Sequence, residues 1–563
     1  MKKFIILAAI CLLAIASPSP VNAKTRVVNV SELEGELTRA LRQQVEGLSY
    51  NDSLIINFDR IGTDTICGTV TARCNVIMKG QGRCKSTVIL DNGNNQQGFI
   101  AFNDDTFFAF RGTSEHNISV TITDLTLKLR EHTGLWWESA PKYAVKIYHA
   151  NGVNINNVDS YLKNAVCTNY DLRVCSNVDI TNCNLVNYNN CRAGGCLWLR
   201  GAMHDINISG NRFYKYGNDE TLGFFSHLID ANTDTSGDVT RDNILVNNND
   251  FFYKYDGDDK ADIFNDMQFS LMSGDSSPYS CTTNNFMFSN NRFQIDDLVK
   301  RTINIRFNNR DSFSNVEFDN NTFIDNYIGS IKRYYRNDIE VYGNPLYPDT
   351  VFFRHNVFKN YNPVVNPYND CGAAFFLVEG SRICLDSNTL SNYVTRDTAA
   401  TTDIGVTLVW CGVAGGEVTL RNNMSQNLKG IARISAGNGI SKFKLIAEGN
   451  TFHGFTELYC NAIDTLNLDF RKNLFMSNNM TFFLQEFATT GSLVFNENNV
   501  FVKTNGGKLM AHWNSNPTSS MRFNRLEVKN NLFRGVQSIE NMLNKITNVG
   551  DSIVGGNICI QNP

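Results

Sequence analysis

The 563-residue chain carries 51 lysines and arginines against 55 aspartates and glutamates, a formal charge of −4. Near-neutrality without a basic run argues against nucleic acid as a partner. A chain this long buries a large core, so disulfides are not required for its stability.

Residues 1–23 read as a secretory signal peptide. Lys2 and Lys3 precede an apolar run over 4–16, and Val21, Asn22 and Ala23 form a small-residue cleavage site before Lys24. The expectation is an exported protein, periplasmic or extracellular. Cys11 follows Ile10 rather than a small residue, which argues against a lipoprotein anchor. No later stretch is long and apolar enough to be a transmembrane segment. Within residues 24–50, Leu33, Leu37 and Leu41 share one helical face, and Ser31 with Glu34 three residues later makes a capping box. This predicts an N-terminal capping helix over the open end of a sheet, because an exposed sheet end invites aggregation.

Residues 51–563 are read as one solenoid. Trp136 and Trp137 fall in a loop, ahead of a strand over 145–149 that bears Lys146 and His149. Of the 15 cysteines, Cys167, Cys175, Cys183 and Cys191 lie eight apart and Cys196 follows. An exported chain permits bridges among them. Cys183 and Cys384, however, occupy strand positions that suit a small buried side chain. The expectation is a mixture of buried thiols and one or two bridges. Zinc would need closely paired Cys or His ligands, and that spacing is absent.

From residue 206 one phrase recurs: an alternating apolar strand, then Asn, any residue, and Phe or Leu. It pairs Asn211 with Phe213, Asn249 with Phe251, Asn291 with Phe293, Asn321 with Phe323, Asn356 with Phe358 and Asn388 with Leu390. A weaker copy at Asn423 lacks the final Phe, and later copies read Asn450 with Phe452, Asn473 with Phe475, Asn499 with Phe501 and Asn531 with Phe533. The alternation is the period of a strand with one buried face. Asn is expected at the turn because it tolerates the left-handed region and bonds neighbouring backbone. Stacked copies place Asn on Asn and Phe on Phe. The anchors stand 23 to 42 residues apart, so a coil of about 20 residues carries its surplus as outer loops.

Second strands precede many of these phrases, over 145–149, 196–200, 227–230, 303–306 and 376–379. They predict one sheet whose outward column holds Lys146, His149, Arg200, Asp230, Arg306 and Glu379 at or near its positions. A groove mixing cations and carboxylates suits an acidic sugar chain. Trp136 and Trp137 would stack on sugar rings beside it. The loop over 256–262, with Asp256, Asp258, Asp259 and Asp262, offers oxygen ligands for Ca²⁺ without the spacing of an EF-hand.

The repeat resembles the right-handed parallel β-helix of the pectin-lyase-like superfamily, over roughly residues 50–560. That resemblance implies an all-β fold and action on polysaccharides, although many chemistries share the scaffold. Residues 301–309, with Arg306, look like the arginine-bearing rung of chondroitinase-B-like lyases. In that family the previous rung supplies a catalytic Lys beside acidic Ca²⁺ ligands. Here it reads 268–275, from Gln268 to Asp275, with neither Lys nor paired Glu. A polygalacturonase-like pattern is similar only in part, through Asn232 and Asp234, Asp258 and Asp259, and a late Lys332.

The resulting expectation is an exported polysaccharide-active protein, a lyase cleaving a uronate-containing glycan by β-elimination. Arg306, Arg200, Lys146 and His149 are its catalytic candidates, with Asp230, Glu379, Trp136 and Trp137 binding substrate. The alternatives are a glycoside hydrolase on the same scaffold and a non-catalytic glycan-binding surface protein.

Overall fold

The computed structural model describes residues 23–91, 106–130, 142–163, 167–188, 194–216, 220–226, 237–254, 267–272, 279–296, 301–308, 310–326, 337–343, 349–361, 373–393, 406–411, 415–485, 490–503, 508–512, 521–543 and 546–562. Residues 1–22, nearly all of the stretch read as a signal peptide, lie outside them. Among the described residues, 42 strands join one continuous sheet with parallel pairing throughout. The sheet winds as a right-handed parallel β-helix, and each coil contributes strands to three faces.

The first face pairs like residues on successive coils: Val246 with Phe288, Phe288 with Phe318, and Phe318 with Phe353. Its strands alternate buried and exposed, as in Val351 and Phe353 buried within Thr350–Arg354. The second face begins after the Asn and stacks the aromatic of the phrase. Phe213, Phe251, Phe293, Phe323 and Phe358 lie 4.5 to 5.0 Å apart, ring upon ring and nearly parallel. All five are buried in the single core.

Between these faces runs an asparagine ladder. Asn321 accepts from Asn291, through both its backbone N–H and its Nδ2, at 2.9 and 3.1 Å. Asn321 in turn donates from the same two groups to Asn356 at 2.9 and 3.0 Å, and from Nδ2 to the Phe288 carbonyl at 2.9 Å. The same pattern links Asn211, Asn249, Asn291, Asn321, Asn356, Asn388, Asn423, Asn450, Asn473, Asn498, Asn531 and Asn557.

Two expectations change here. The left-handed residue is not the ladder Asn but the one before it: Asn248, Asn290, Asn320, His355, Ser387 and Lys472 have φ between 52° and 58°. That residue turns the chain on the solvent side, while the ladder Asn points inward and satisfies backbone groups. In one copy the ladder member is Asn498, not Asn499, so Val500 is buried and Phe501 is half-exposed. Asn557 extends the ladder by a coil that lacks an aromatic. In the coil before Asn211 the position belongs to Cys183, whose N–H donates to Asn211 Oδ1 at 2.9 Å.

At the N-terminal end, the helix spans Leu37–Val45, later than the capping box predicts. Glu36 is its cap, accepting from the N–H groups of Thr38 and Arg39 at 2.8 Å each. Ser31 instead bonds Asp59 from a short 3-10 turn, Val30–Glu32. Gly35, at φ 80°, separates that turn from the helix. Leu41 is buried, and Leu33 and Leu37 pack against the core. A second short helix, Ile539–Leu543, follows near the other end.

The 11 described cysteines are free thiols, and no bridge forms among them. Cys175, Cys183 and Cys196 are pushed up to about 12 by burial, which makes them inert packing groups.

Candidate functional site

The third face is the sheet of second strands. Its strands are Thr106–Arg111, Tyr143–Asn156, Thr168–Thr181, Leu197–Ser209, Leu222–Phe225, Met267–Met272, Arg301–Arg306, Asn337–Tyr342 and Ala373–Glu379. Ile147, Leu172, Leu199, Phe224, Leu271, Ile305, Val341 and Val378 point inward and are buried. The alternate residues face out in two columns.

One column runs Arg111, Tyr148, Arg173, Arg200, Phe225, Met272, Arg306, Tyr342 and Glu379. The other runs Ala109, Lys146, Asp171, Trp198, Gly223, Ser270, Asn304, Glu340 and Leu377. Arg200, Arg306 and Glu379 therefore share one column, and Lys146 stands in the neighbouring one. His149 does not join them. It is a corner residue at φ 46°, where the chain leaves this face. The rung after Arg200 is Leu222–Phe225, upstream of the strand expected over 227–230. Asp230, Trp136, Trp137, Asp256, Asp258, Asp259 and Asp262 lie outside the described residues, as do residues 232–234 and 332. The Ca²⁺ expectation rests on those aspartates. Among the described residues, no group of three or more His, Cys, Asp or Glu is placed to hold a metal ion.

Two clusters occupy the face. At the earlier rungs, Asp171 is fully buried between two guanidiniums: Arg173 Nε at 2.7 Å from Oδ2 and Arg200 Nε at 3.1 Å from Oδ1. Aromatic rings hold these cations. The Arg200 guanidinium sits 4.5 Å from the Trp198 ring centre, Arg173 5.2 Å from Tyr148, and Lys146 Nζ 4.2 Å from Tyr143. Burial works against the charge on Arg173, but Asp171 and Tyr148 outweigh it and raise its pKa.

The later rungs carry the carboxylates. Tyr342 donates to Glu340 Oε2 at 3.2 Å, and the Arg306 guanidinium lies 4.8 Å from the Tyr342 ring centre. Glu340 stands opposite Leu377, two residues before Glu379, which puts the two Cα atoms about 8 Å apart. Burial pushes the Glu379 carboxyl above the usual carboxylate range. Arg306 opposes that rise and the charge of Glu340 adds to it.

Between the clusters lie buried polar atoms without a hydrogen-bond partner, Gln268 Nε2 and Asn304 Oδ1 on adjacent rungs; Trp198 Nε1, within the earlier cluster, has none either. Native proteins rarely leave such groups unpaired, and ligand sites are one setting where they do.

Sequence reading missed Asp171, Arg173, Tyr342 and Glu340. The strand over 337–342 was not recognised, although its alternation places Glu340 and Tyr342 outward. Asp171 and Arg173 were hidden in a segment read for its cysteines.

No protein-family model matches the chain, and no curated protein matches it. Solved structures do. The catalytic unit of the GH87 α-1,3-glucanase from Streptomyces thermodiastaticus aligns at TM-score 0.39 and 12% identity, covering 78% of this chain and 70% of that one. The PL6 family alginate lyase AlyGC aligns at TM-score 0.28 and 10% identity, covering 95% and 100%. The tailspike protein of E. coli bacteriophage HK620, solved with a pentasaccharide, aligns at TM-score 0.35 and 11% identity, covering 88% and 74%. These scores are too low for the likeness to carry function.

Proposed function

We propose that the third face binds and cleaves an acidic polysaccharide, with Arg306, Glu340, Tyr342 and Glu379 as its catalytic centre. The observation that carries this reading is the pair of carboxylates on neighbouring rungs, held in unlike surroundings beside an arginine. Two carboxyl groups whose environments separate them divide the roles of acid and base. Glu379, whose carboxyl burial and the charge of Glu340 shift towards the protonated form, gives its proton to the glycosidic oxygen. Glu340, oriented by Tyr342, activates the attacking water. Arg306 holds an anionic sugar at the scissile bond.

β-Elimination is the second reading, favoured by the Arg306 guanidinium over the Tyr342 ring. There the arginine neutralises a uronate carboxylate and the phenol relays the proton.

A screen against acidic polysaccharides separates the two. Hydrolysis yields new reducing ends alone. Elimination also yields an unsaturated sugar absorbing near the ultraviolet edge. Glu379→Gln, Glu340→Gln or Arg306→Ala is expected to lower turnover by about 10²–10⁴. Hydrolysis by side-chain acid and base proceeds in EDTA, whereas a Ca²⁺-assisted elimination stops. Full activity in Glu379→Gln rejects the hydrolytic centre. A wild type that binds glycans and cleaves none of them is the non-catalytic alternative.

A further inference from the structure

We propose that Arg173 and Arg200 form an anion subsite separate from the catalytic centre, one that holds a carboxylate- or sulfate-bearing sugar of the same glycan chain. This inference rests on the glycan-cleaving reading and adds to it a second point at which substrate charge is recognised. Arg200 precedes Arg306 by three rungs on the same column, about 14 Å along the solenoid. A glycan engaging both positions lies lengthwise along the face.

Charge is the first support. Two guanidiniums share the single carboxylate of Asp171, and their side chains are only 5% and 12% exposed. A buried cationic surplus is costly unless something answers it. Both contacts run through Nε, and a guanidinium carries further N–H donors of the kind that suit a carboxylate or sulfate. Trp198 and Tyr148 fix the guanidinium planes from the side, which spares a ligand part of the cost of ordering them.

The unpaired atoms of the intervening rungs are the second, independent support. Gln268 and Asn304 are 0% and 1% exposed, and each keeps one polar atom without a partner. Gln268 Nε2 is a donor and Asn304 Oδ1 an acceptor. Sugar hydroxyls both donate and accept, so the segment joining the two charged sites meets a floor that bonds it without reading charge.

Binding is measured for fragments of polygalacturonate, alginate and chondroitin sulfate, and for their carboxyl-reduced or desulfated forms, at two salt concentrations. At least one anionic fragment is expected to bind more tightly than its neutralised form, with an affinity that falls as salt rises. Carboxyl reduction and desulfation show separately which substituent the subsite takes. Arg200→Gln and Arg173→Gln are expected to weaken that fragment roughly tenfold or more, with the kinetic loss falling on KM more than on kcat. Arg200→Lys restores part of it.

Glu379→Gln supplies the control, since it is expected to bind the fragment while failing to cleave it. Charge-selective binding without any cleavage by the wild type keeps the subsite and discards the catalytic reading. An unchanged KM in Arg200→Gln discards the subsite and keeps the catalysis. Anionic fragments that bind no better than neutral ones, or a melting temperature that falls in Arg200→Gln without any change in affinity, overturn the proposal.

Discussion

Asn321 and Asn304 are both buried asparagines of the same solenoid, and they differ in one respect. Asn321 sits at the ladder corner with its amide oxygen and nitrogen both bonded to neighbouring coils. Asn304 sits on the third face, donates only to the sulfur of Met272 at 3.4 Å, and leaves its oxygen unpaired. The corner satisfies its polar atoms within the fold, and the face leaves some of its own unpaired. A polar side chain that builds a fold is satisfied by that fold. One that serves a ligand waits for it, at a standing cost.

The strongest challenge to this contrast is made beside the ladder. Phe323→Ala is expected to destabilise the protein by about 3–5 kcal/mol, because the stacked rings of Phe293 and Phe358 cannot close the cavity. Denaturant unfolding checks it, and a loss below about 1 kcal/mol places Phe323 outside the core. Asn321→Ala comes next. It strips partners from Asn291 and from the Phe288 carbonyl, and about 2–3 kcal/mol is expected from the unpaired groups.

Asn304→Ala is predicted to cost clearly less stability than Asn321→Ala, because the oxygen it removes is already unpaired, while weakening glycan binding by roughly tenfold. If it destabilises as much as Asn321→Ala, the contrast between corner and face fails.

The smallest effect is one of pH. The Glu379 carboxyl has its pKa raised in the folded state, so between its unfolded and folded values the folded protein holds the extra proton. Stability falls as pH rises through that window and levels off above it. Glu379→Gln is expected to flatten this part of the stability profile. A steeper profile in the variant contradicts the assignment.

The corner was legible in the sequence because each member repeats the same residue and neighbour, as at Asn321 and Phe323. Even so, a doubled Asn shifted one copy by a residue, from 498 to 499, since adjacent identical residues give no cue to which one faces in. The third face was legible only at Lys146, Arg200, Arg306 and Glu379, where a strand was read ahead of its phrase. Glu340 and Asp171 escaped for a physical reason. Outward residues on this face differ from coil to coil, so they do not repeat, and periodicity cannot find them. His149 shows the opposite error: a polar residue at the corner between two faces belongs to the bend.

The ladder joins coils of very unequal length, with its asparagines as few as 23 and as many as 42 residues apart. Registration is thus set at one edge of the molecule, in the manner of a spine, and the length of each coil is left to vary elsewhere. Additions beside the third face need not disturb the stacking on which folding depends. In such an architecture specificity can drift by swapping segments around an unchanged rack, and transplanting a segment from another coil becomes an engineering step that leaves the spine in place.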